Sequence, residues 1–374
     1  DIHTIAQQRH DKGEDVIVLS VGDPDFDTPA PIVEAAIDSL QRGRHHYTPS
    51  VGIPELRETV ARNHQQATGQ NVSADNVAIL QGAQNALMSV ALCVLDQDDE
   101  VIIPEPMYVT YEGVIGTCGA KLIDVALRPE DGFQVDPSSI EAAITPNSRA
   151  LLLNTPHNPT GAVLKHDVLE EIADICRRHD LWVISDEVYA TITYDAEHIS
   201  PCSFPGMAER TVTISSLSKS HAMTGWRLGW AIGPTELIHH IDTLSNSMLY
   251  GSPPFIQDAA VHALNHEIEE LDKMNSAYRR RRDRVCAELE SVEGLSIDWP
   301  EGGMFAMADV RQTGLSSQKF MELLYERESV SVLAGSAFGP SGAGHVRISL
   351  AASEAVLTEG CKRIARFVAS LKGD

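Results

Sequence analysis

The chain has 374 residues, 43% of them hydrophobic, which is enough for a large core and favours one large domain with a smaller one. Its formal net charge of −24 argues against nucleic-acid binding, because that function needs a basic surface. No apolar run reaches about 18 residues, so we expect no membrane-spanning helix. The first residues also lack the basic and apolar leader of a secretory signal.

Six cysteines are scattered along the chain, and none of them forms a Cys-x-x-Cys pair. This spacing is typical of reduced thiols in a cytoplasmic protein and does not indicate a disulfide framework or a metal site. The lack of a leader pattern agrees with a cytoplasmic location. The six positions are Cys93, Cys118, Cys176, Cys202, Cys286 and Cys361.

Short apolar segments alternate with helical ones through the middle of the chain. Strands are predicted at residues 77–80, 100–103, 121–125, 149–153, 182–185, 211–214 and 228–232. Helices are predicted at 83–95 and 167–178, the second with its apolar residues on one side. This alternation predicts an α/β domain with a mostly parallel sheet between helices, which we assign to residues 30–265.

The pattern changes after residue 265. A long helix is predicted at 267–292, followed by short strands at 304–307, 330–333 and 346–349 and by a terminal helix at 354–371. These elements predict a smaller α+β domain made of residues 1–29 and 266–374. The long helix contains a basic run from Arg279 to Arg282, with Arg284 close behind, and we predict that this run forms a solvated helix face.

Polar residues follow the predicted strands, and ligand-binding groups collect at the carboxyl ends of a parallel sheet. Gly82, Ala83 and Gln84 join a strand to a helix. The free backbone N–H groups of such a helix N-terminus favour a phosphate, although a glycine there is usually only a turn residue. Asn158 stands in Asn-Pro-Thr-Gly after a later strand. Its amide can donate to a phenolate-like oxygen, and a simple Pro-Gly turn explains it equally well.

Asp186 opens the sequence Asp-Glu-Val-Tyr after the strand at 182–185. A carboxylate at this point can pair with a protonated pyridine nitrogen, and the alternative is an aspartate that caps a helix. Tyr189, three residues on, is expected on the same side of a following turn, where its hydroxyl can donate to a ring oxygen.

Lys219 lies in the most informative stretch, Ser-Leu-Ser-Lys-Ser-His-Ala-Met-Thr-Gly-Trp-Arg-Leu-Gly-Trp, residues 216–230. A lone lysine is normally a solvated cation. One that is set among hydroxyl, small and aromatic residues can be held near neutrality and react as an amine. Ser216 and Arg227 offer a hydroxyl donor and a guanidinium fork for a phosphate. A reactive lysine beside a phosphate site indicates pyridoxal 5'-phosphate (PLP).

In this order the residues resemble the class I and II PLP-dependent aminotransferases, which have fold type I. The resemblance rests on Asn-Pro-Thr-Gly, Asp-Glu-Val-Tyr, Ser-Leu-Ser-Lys and His-Val-Arg-Ile-Ser, and it extends from Val21 to the C-terminus. It implies that Lys219 forms a Schiff base with PLP and moves the proton between the substrate α-carbon and the cofactor. It also implies that Asp186 pairs with the pyridine nitrogen. The other implied cofactor contacts are Tyr189 and Asn158 at the ring oxygen, and Gly82, Ala83, Gln84, Ser216 and Arg227 at the phosphate.

The resemblance implies further roles in substrate binding and assembly. Arg347 is expected to bind the substrate carboxylate as a bidentate fork, with the backbone of Gly22 and with Asn158 close by. Without the resemblance, Arg347 would be interpreted as an ordinary strand residue of the small domain. Tyr108 is expected to stack on the cofactor ring. Tyr47 is expected to reach the PLP phosphate of the neighbouring subunit, so the resemblance implies a homodimer with shared active sites.

The resemblance implies transfer of an amino group from an L-amino acid to a 2-oxo acid by a ping-pong mechanism. Several longer stretches, among them residues 20–29, 105–112 and 330–335, are similar to the branch that uses arginine and pyruvate, so those substrates are expected. The aspartate-specific branch often has histidine three residues after the ring-stacking aromatic, and this chain has Tyr111 there. Aspartate specificity therefore does not follow from the family.

Other activities stay open. A PLP-dependent β-lyase or decarboxylase, or an aspartate- or aromatic-type aminotransferase, would use the same motifs. An amino-acid-sensing regulator is a remote alternative, because the motifs begin at Gly22 and leave no room ahead of them for a DNA-binding region. No Gly-x-Gly-x-x-Gly follows a strand and no Gly-x-x-x-x-Gly-Lys-Ser/Thr occurs, which argues against a nicotinamide dehydrogenase and a P-loop protein.

Overall fold

The computed structural model describes residues 2–371. Its helices are α1 (Ile2–Asp11), α2 (Ala30–Gln41), α3 (Pro54–Thr68), α4 (Ala83–Val94), α5 (Tyr111–Thr117), α6 (Pro137–Ala142), α7 (His166–Arg178), α8 (Leu217–Ser220), α9 (Thr235–Met248), α10 (Pro254–Asn265), α11 (Glu269–Glu290), α12 (Ser317–Glu328) and α13 (Glu354–Ser370). Its strands are β1 (Ile17–Val18), β2 (Val77–Leu80), β3 (Glu100–Glu105), β4 (Lys121–Ala126), β5 (Ser148–Asn154), β6 (Trp182–Asp186), β7 (Thr211–Ser216), β8 (Gly229–Ile232), β9 (Ser296–Asp298), β10 (Phe305–Asp309), β11 (Val330–Ser331), β12 (Leu333–Ala334) and β13 (His345–Ser349). The predicted small domain also included Asp1 and residues 372–374, which lie outside the described residues. Within residues 2–371, no helix combines the length and the apolar content needed to cross a bilayer.

A seven-stranded sheet forms the centre of the larger part of the chain, with the strand order β2-β8-β7-β6-β5-β3-β4. The strands from β7 to β4 pair in parallel, whereas β8 runs antiparallel to both β2 and β7. The predicted α/β class with a mostly parallel sheet between helices is confirmed. Because β5, β6 and β7 are neighbours, the residues that follow them meet at one edge of the sheet.

Apolar side chains cover this sheet on both faces. All four residues of β2 are buried, as expected of a strand covered on both sides. Along β5, Leu152 packs in the cluster with α4, α5 and α9, whereas Leu151 packs in the cluster with α6 and α7. In α7, Leu169, Ile172 and Cys176 are buried at helical spacing. This packing leaves the strand ends as the place for polar groups.

A second unit is built from residues beyond α10 together with the N-terminal segment. Its four-stranded antiparallel sheet has the order β12-β13-β10-β9, and β1 pairs in parallel with β11. One apolar cluster joins these strands to α11, α12 and α13, and it includes Leu19, Tyr278, Phe305 and Phe367. The domain boundary near residue 265 stays a prediction, and the two larger sheets fall on either side of it.

The arginine run in α11 is not a uniformly solvated face, and that prediction was wrong for two of its members. Arg281 and Arg282 are buried, with 5% and 4% of their surface exposed, whereas Arg280 is exposed. The helical period explains the difference, because the two buried arginines lie on the same side of α11 as the buried Tyr278 and Val285.

Arg281 links α11 to the segment that contains residues 22–26. Its guanidinium donates to both carboxylate oxygens of Asp25, at 2.7 and 2.8 Å, and to the carbonyl of Leu350 at 3.2 Å. The guanidinium carbon also lies 4.6 Å from the centre of the Phe26 ring. Removing the carboxylate of Asp25 would leave the buried guanidinium of Arg281 without a counter-charge, which lowers the stability of the fold.

Replacing Asp25 with Asn should therefore lower the free energy of unfolding by about 2–3 kcal/mol, less than for a fully buried pair. The expected loss is smaller than for a fully buried pair because the side chain of Asp25 is 29% exposed. Urea denaturation followed by circular dichroism measures the change. The control is Glu354→Gln, which removes the exposed pair with Arg280 and should cost no more than about 0.5 kcal/mol. Equal effects of the two substitutions would contradict a special role for the buried pair.

Candidate active site

Three neighbouring strands bring predicted residues to one edge of the large sheet. β5 leads into the turn that carries Asn158, β6 ends at Asp186, and β7 ends at Ser216. α8 follows at once and carries Lys219. Because the three strands run in parallel, these residues line one cavity.

The cavity encloses about 710 Å³ when the open space at its mouth is included. The predicted residues that line it are Ala83, Gln84, Tyr108, Asn158, Asp186, Tyr189, Ser216, Lys219 and Arg227. Residues that were not predicted also line it, namely Leu87, Tyr111, Asn154, Val188, Ser218 and Thr224. Three further predicted residues do not line the cavity but contact residues that do, namely Gly82, Gly22 and Arg347.

Lys219 presents a partly buried amine to the cavity. Burial lowers its pKa below the ordinary value, and the charge of Asp23 acts in the opposite direction. Nζ donates to the backbone carbonyl of Gly22 at 2.5 Å. The lowered pKa favours the neutral amine, which is the form that attacks an aldehyde.

Asp186 is a buried carboxylate whose two oxygens are held by the protein. Oδ2 accepts a hydrogen bond from the Tyr111 hydroxyl at 2.8 Å, and Oδ1 accepts one from the Val188 N–H at 3.2 Å. Burial raises the pKa of Asp186 to about 6, although both hydrogen bonds act to lower it. A cation in the cavity would favour the ionised carboxylate, and a protonated pyridine nitrogen is such a cation.

Tyr111 is a site residue that the sequence analysis missed. In the sequence, Tyr111 was noted only because aspartate-specific relatives often have histidine at this position. Its side chain is buried, packs edge-on against Tyr108 with ring centroids 5.6 Å apart, and donates to Asp186. A signal was available, because tyrosine replaces histidine here with another side chain that can donate a hydrogen bond.

Asn154, the last residue of β5, was also missed. Its side-chain oxygen accepts from the backbone N–H of Asn158 at 2.8 Å, and its amide donates to the backbone carbonyl of Asp186 at 3.0 Å. One side chain thus fixes the ends of two strands relative to each other. The sequence places an asparagine at the strand end, but it does not reveal the partner on the adjacent strand.

Gly82 and the start of α4 form a cradle for an anion beside Arg227. Gly82 has a φ of +84°, and a Cβ there would lie 2.6 Å from the guanidinium of Arg227, so only glycine fits without strain. Ala83 and Gln84 follow with the free N–H groups of the helix N-terminus. Arg227 is fixed by a hydrogen bond to the carbonyl of Thr224 at 2.7 Å. These residues fit a phosphate group.

Arg347 is a buried cation with no carboxylate partner among residues 2–371. It donates to Asn158 Oδ1 and to the backbone carbonyl of Ser20, both at 2.9 Å, and its guanidinium carbon lies 3.9 Å from the centre of the Phe305 ring. Its Nε is buried and unpaired. Burial lowers its pKa to about 10. An anionic ligand would neutralise this charge, which fits the predicted contact with a substrate carboxylate.

Gly22 and Tyr47 occupy different surroundings. The backbone of Gly22 lies against the ring of Phe305, which leaves no space for a side chain at that position. Tyr47 does not line the cavity. It is 90% exposed, and its ring centroid lies 5.6 Å from that of Tyr250. Its predicted contact with a cofactor phosphate therefore requires a second copy of the chain.

All six cysteines are free. In the part of the chain that the structure describes, no group of three or more His, Cys, Asp or Glu side chains is placed to hold a metal ion. The chemical groups that line the cavity are an amine, a carboxylate and an anion cradle, and the buried guanidinium of Arg347 contacts the lining residue Asn158.

The sequence family of aminotransferase class I and II matches residues 14–364. Arginine–pyruvate transaminase AruH of Pseudomonas aeruginosa is 54% identical over 373 residues, which cover 100% of this chain and 95% of that protein. An aspartate aminotransferase of Pyrococcus horikoshii is 38% identical over 360 residues, which cover 96% of this chain and 92% of that protein.

Solved structures of the same kind share the fold. The aromatic aminotransferase of Pyrococcus horikoshii superposes with a TM-score of 0.94 at 39% identity, covering 98% of this chain and 99% of that chain. Aspartate aminotransferase of Thermus thermophilus with maleate gives a TM-score of 0.93 at 35% identity, covering 98% of this chain and 95% of that chain. The chain therefore belongs to the class I and II aminotransferases.

Proposed function

We propose that this aminotransferase depends on PLP and moves the amino group of L-arginine to pyruvate in two half-reactions. The observation that carries the PLP proposal is the amine of Lys219 and the buried carboxylate of Asp186 on one cavity that also has an anion cradle. The substrates are suggested by 54% identity to the Pseudomonas arginine–pyruvate transaminase, against 38% for the Pyrococcus aspartate aminotransferase. The net charge of −24 is compatible with a cationic donor.

When bound, PLP supplies an aldehyde that links to amines and a ring that draws electrons from the substrate α-carbon. Lys219 holds the cofactor and then moves the proton from that carbon, first as a base and then as an acid. Asp186 keeps a proton on the ring nitrogen through its negative charge. The hydrogen bonds from Tyr111 and from the Val188 N–H keep that carboxylate in place.

Tyr189 and Asn158 are placed to donate to the ring oxygen. Burial raises the pKa of Tyr189, although the charge of Arg347 opposes this, so the phenol keeps the proton that it donates. The oxygen of the Asn158 amide accepts from Arg347 at 2.9 Å, which leaves the amide N–H groups to donate to a ligand. Arg347 therefore orients Asn158 in addition to binding the substrate carboxylate.

The phosphate and the ring face have their own residues. Ser216, Arg227 and the Gly82–Ala83–Gln84 backbone hold the phosphate, because they combine a hydroxyl, a guanidinium and a helix N-terminus on one side of the cavity. Tyr108 lies against the cavity and offers its ring for stacking.

The active form is a homodimer in the cytoplasm. Tyr47 and Tyr250 are exposed by 90% and 56%, and Leu249 beside them is exposed by 54%. Such a group of large apolar side chains favours a protein contact, and it would let Tyr47 reach the phosphate site of a second copy. The six free cysteines agree with a reducing compartment.

The substrates are tested by incubating the purified protein and PLP with L-arginine and pyruvate and measuring alanine by chromatography. We expect kcat/KM for arginine to exceed that for aspartate at least about tenfold, and Lys219→Ala to lower turnover by roughly 10³-fold or more. Comparable rates with aspartate would contradict the arginine proposal. Release of pyruvate and ammonia from amino acids without any acceptor would indicate a β-lyase instead.

Replacing Arg347 with Ala should lower kcat/KM by a factor that corresponds to roughly 2–4 kcal/mol of lost transition-state binding, mainly through a higher KM. The reason is the loss of a charge-assisted fork to the substrate carboxylate. Arg347→Lys is the matched variant. It keeps the charge without the planar fork and should recover only part of the loss. Steady-state kinetics with several amino-acid donors provide the measurement. An unchanged KM for every donor would exclude Arg347 from the substrate site.

A further inference from the structure

Glu105, the last residue of β3, has a buried carboxylate that takes no part in the proposed chemistry. The backbone N–H of Ser341 donates to both of its oxygens, with its nitrogen 2.9 Å from Oε1 and 3.1 Å from Oε2, and the Ser341 hydroxyl donates to Oε2 at 2.5 Å. Burial raises the pKa of Glu105, and the hydrogen bonds from Ser341 and Gly342 oppose this. The carboxylate therefore joins the end of a strand in the large sheet to a segment of the second unit.

That segment is the loop of residues 335–342, which follows β12 and precedes β13. The backbones of Gly335 and Gly342 lie so close together that a Cβ at either one would overlap the carbonyl of the other. Gly339 has a φ of +122°, and a Cβ there would overlap Oε1 of Glu105, so only glycine fits without strain. The loop is thus a compact unit that lies directly on the carboxylate of Glu105.

The same loop contacts Arg347 through a buried aromatic ring. The guanidinium carbon of Arg347 lies 4.7 Å from the centre of the Phe338 ring. The carbonyl of Phe338 accepts from the N–H of Met107 at 2.7 Å, two residues after Glu105. The loop also begins beside Arg347, because β12 pairs with the part of β13 that contains it. An aromatic ring attracts a guanidinium and restricts the orientation of its fork.

We propose that Glu105 is a positioning residue for the substrate carboxylate, because it fixes the loop that orients Arg347. This inference rests on the proposed role of Arg347 in binding that carboxylate. Glu105 holds Ser341, and the compact loop thereby keeps Phe338 against the guanidinium. Without the carboxylate of Glu105, the loop loses the hydrogen bonds of Ser341 and can move away from Arg347. The cofactor groups Lys219 and Asp186 do not depend on this loop, since both follow other strands of the large sheet.

The test compares steady-state kinetics and PLP titration of the apoprotein for wild type, Glu105→Ala and Glu105→Gln. Glu105→Ala should raise KM for the amino-acid donor about tenfold and leave kcat and PLP affinity within about threefold, because it weakens substrate binding alone. Glu105→Gln keeps the size and one acceptor oxygen, and the Ser341 hydroxyl can turn to accept from its amide. This variant should therefore recover most of the loss. A purely structural role would instead lower PLP affinity and kcat without a selective rise in KM, which would overturn the inference.

A double variant tests whether Glu105 acts through Phe338. Phe338→Leu removes the aromatic ring and keeps an apolar side chain, so it should raise KM by a factor similar to that of Glu105→Ala. Adding Glu105→Ala to Phe338→Leu should raise KM by no more than about twofold further, because the two residues act on Arg347 through one loop. Two effects that simply multiply would show that Glu105 does not act through this loop.

The matched control is Asp136→Ala, because the carboxylate of Asp136 also accepts from the backbone N–H and the hydroxyl of one serine, Ser138, at 3.0 and 2.8 Å. Asp136 caps α6 and does not line the cavity, so this variant should lower stability and leave KM unchanged. A Glu105→Ala variant with the KM of this control would contradict the inference.

Two further variants keep the outcome decisive. If Glu105→Ala does not fold by circular dichroism, Ser341→Ala replaces it, since it removes only the hydroxyl. That variant should raise KM about threefold, and an unchanged KM would overturn the inference. An unchanged KM in Arg347→Ala would instead overturn the proposed substrate site. A raised KM in Arg347→Ala with an unchanged KM in Glu105→Ala would overturn the role of Glu105 alone.

Discussion

The active site depends on two buried charges, those of Asp186 and Arg347, that the protein holds apart and does not neutralise by itself. Asp186 lies at the end of a central strand and Arg347 comes from the second sheet, whereas the amine of Lys219 lies on the short helix after the next strand. An isolated charge in a low-dielectric interior is unfavourable, so it persists where a ligand of opposite charge completes it. A cationic ring nitrogen, an aldehyde and a carboxylate are the groups that complete this set.

The geometry of the large sheet makes this separation possible. Parallel pairing of β5, β6 and β7 fixes the spacing of the residues that follow them, and the side chain of Asn154 ties two of those strand ends together. The second unit then closes the site from another direction. The carbonyl of Gly22 accepts from Lys219, and the oxygen of Asn158 accepts from Arg347. Neither unit alone has all the groups that the reaction needs.

Much of the fold could be predicted from the sequence because its strands are short apolar runs that are followed by turn residues. The seven strands of the large sheet were placed to within about two residues, an error that is usual at element boundaries. The segment at 330–333 was less well predicted, since it forms two short strands in different sheets. That division depends on pairing partners in two other segments, at Ile17 and Arg347, which the local pattern of residues 330–333 does not contain.

The candidate site could be predicted only where a residue belongs to a local motif. Asn158, Asp186 and Lys219 stand in short patterns at strand ends, and they line one cavity. Tyr111 was missed because its importance comes from a hydrogen bond across 75 residues of sequence. Arg281 was wrongly assigned to solvent because the charge of a side chain does not reveal that its helix turns it towards Asp25.

The central claim is that the amine of Lys219 binds the cofactor beside Asp186, and covalent trapping tests it most directly. Holoprotein reduced with borohydride, digested and analysed by mass spectrometry should carry the reduced pyridoxal phosphate mass on the peptide that contains Lys219. Labelling of a different lysine in a protein that still transaminates, or no labelled peptide at all, would contradict the account.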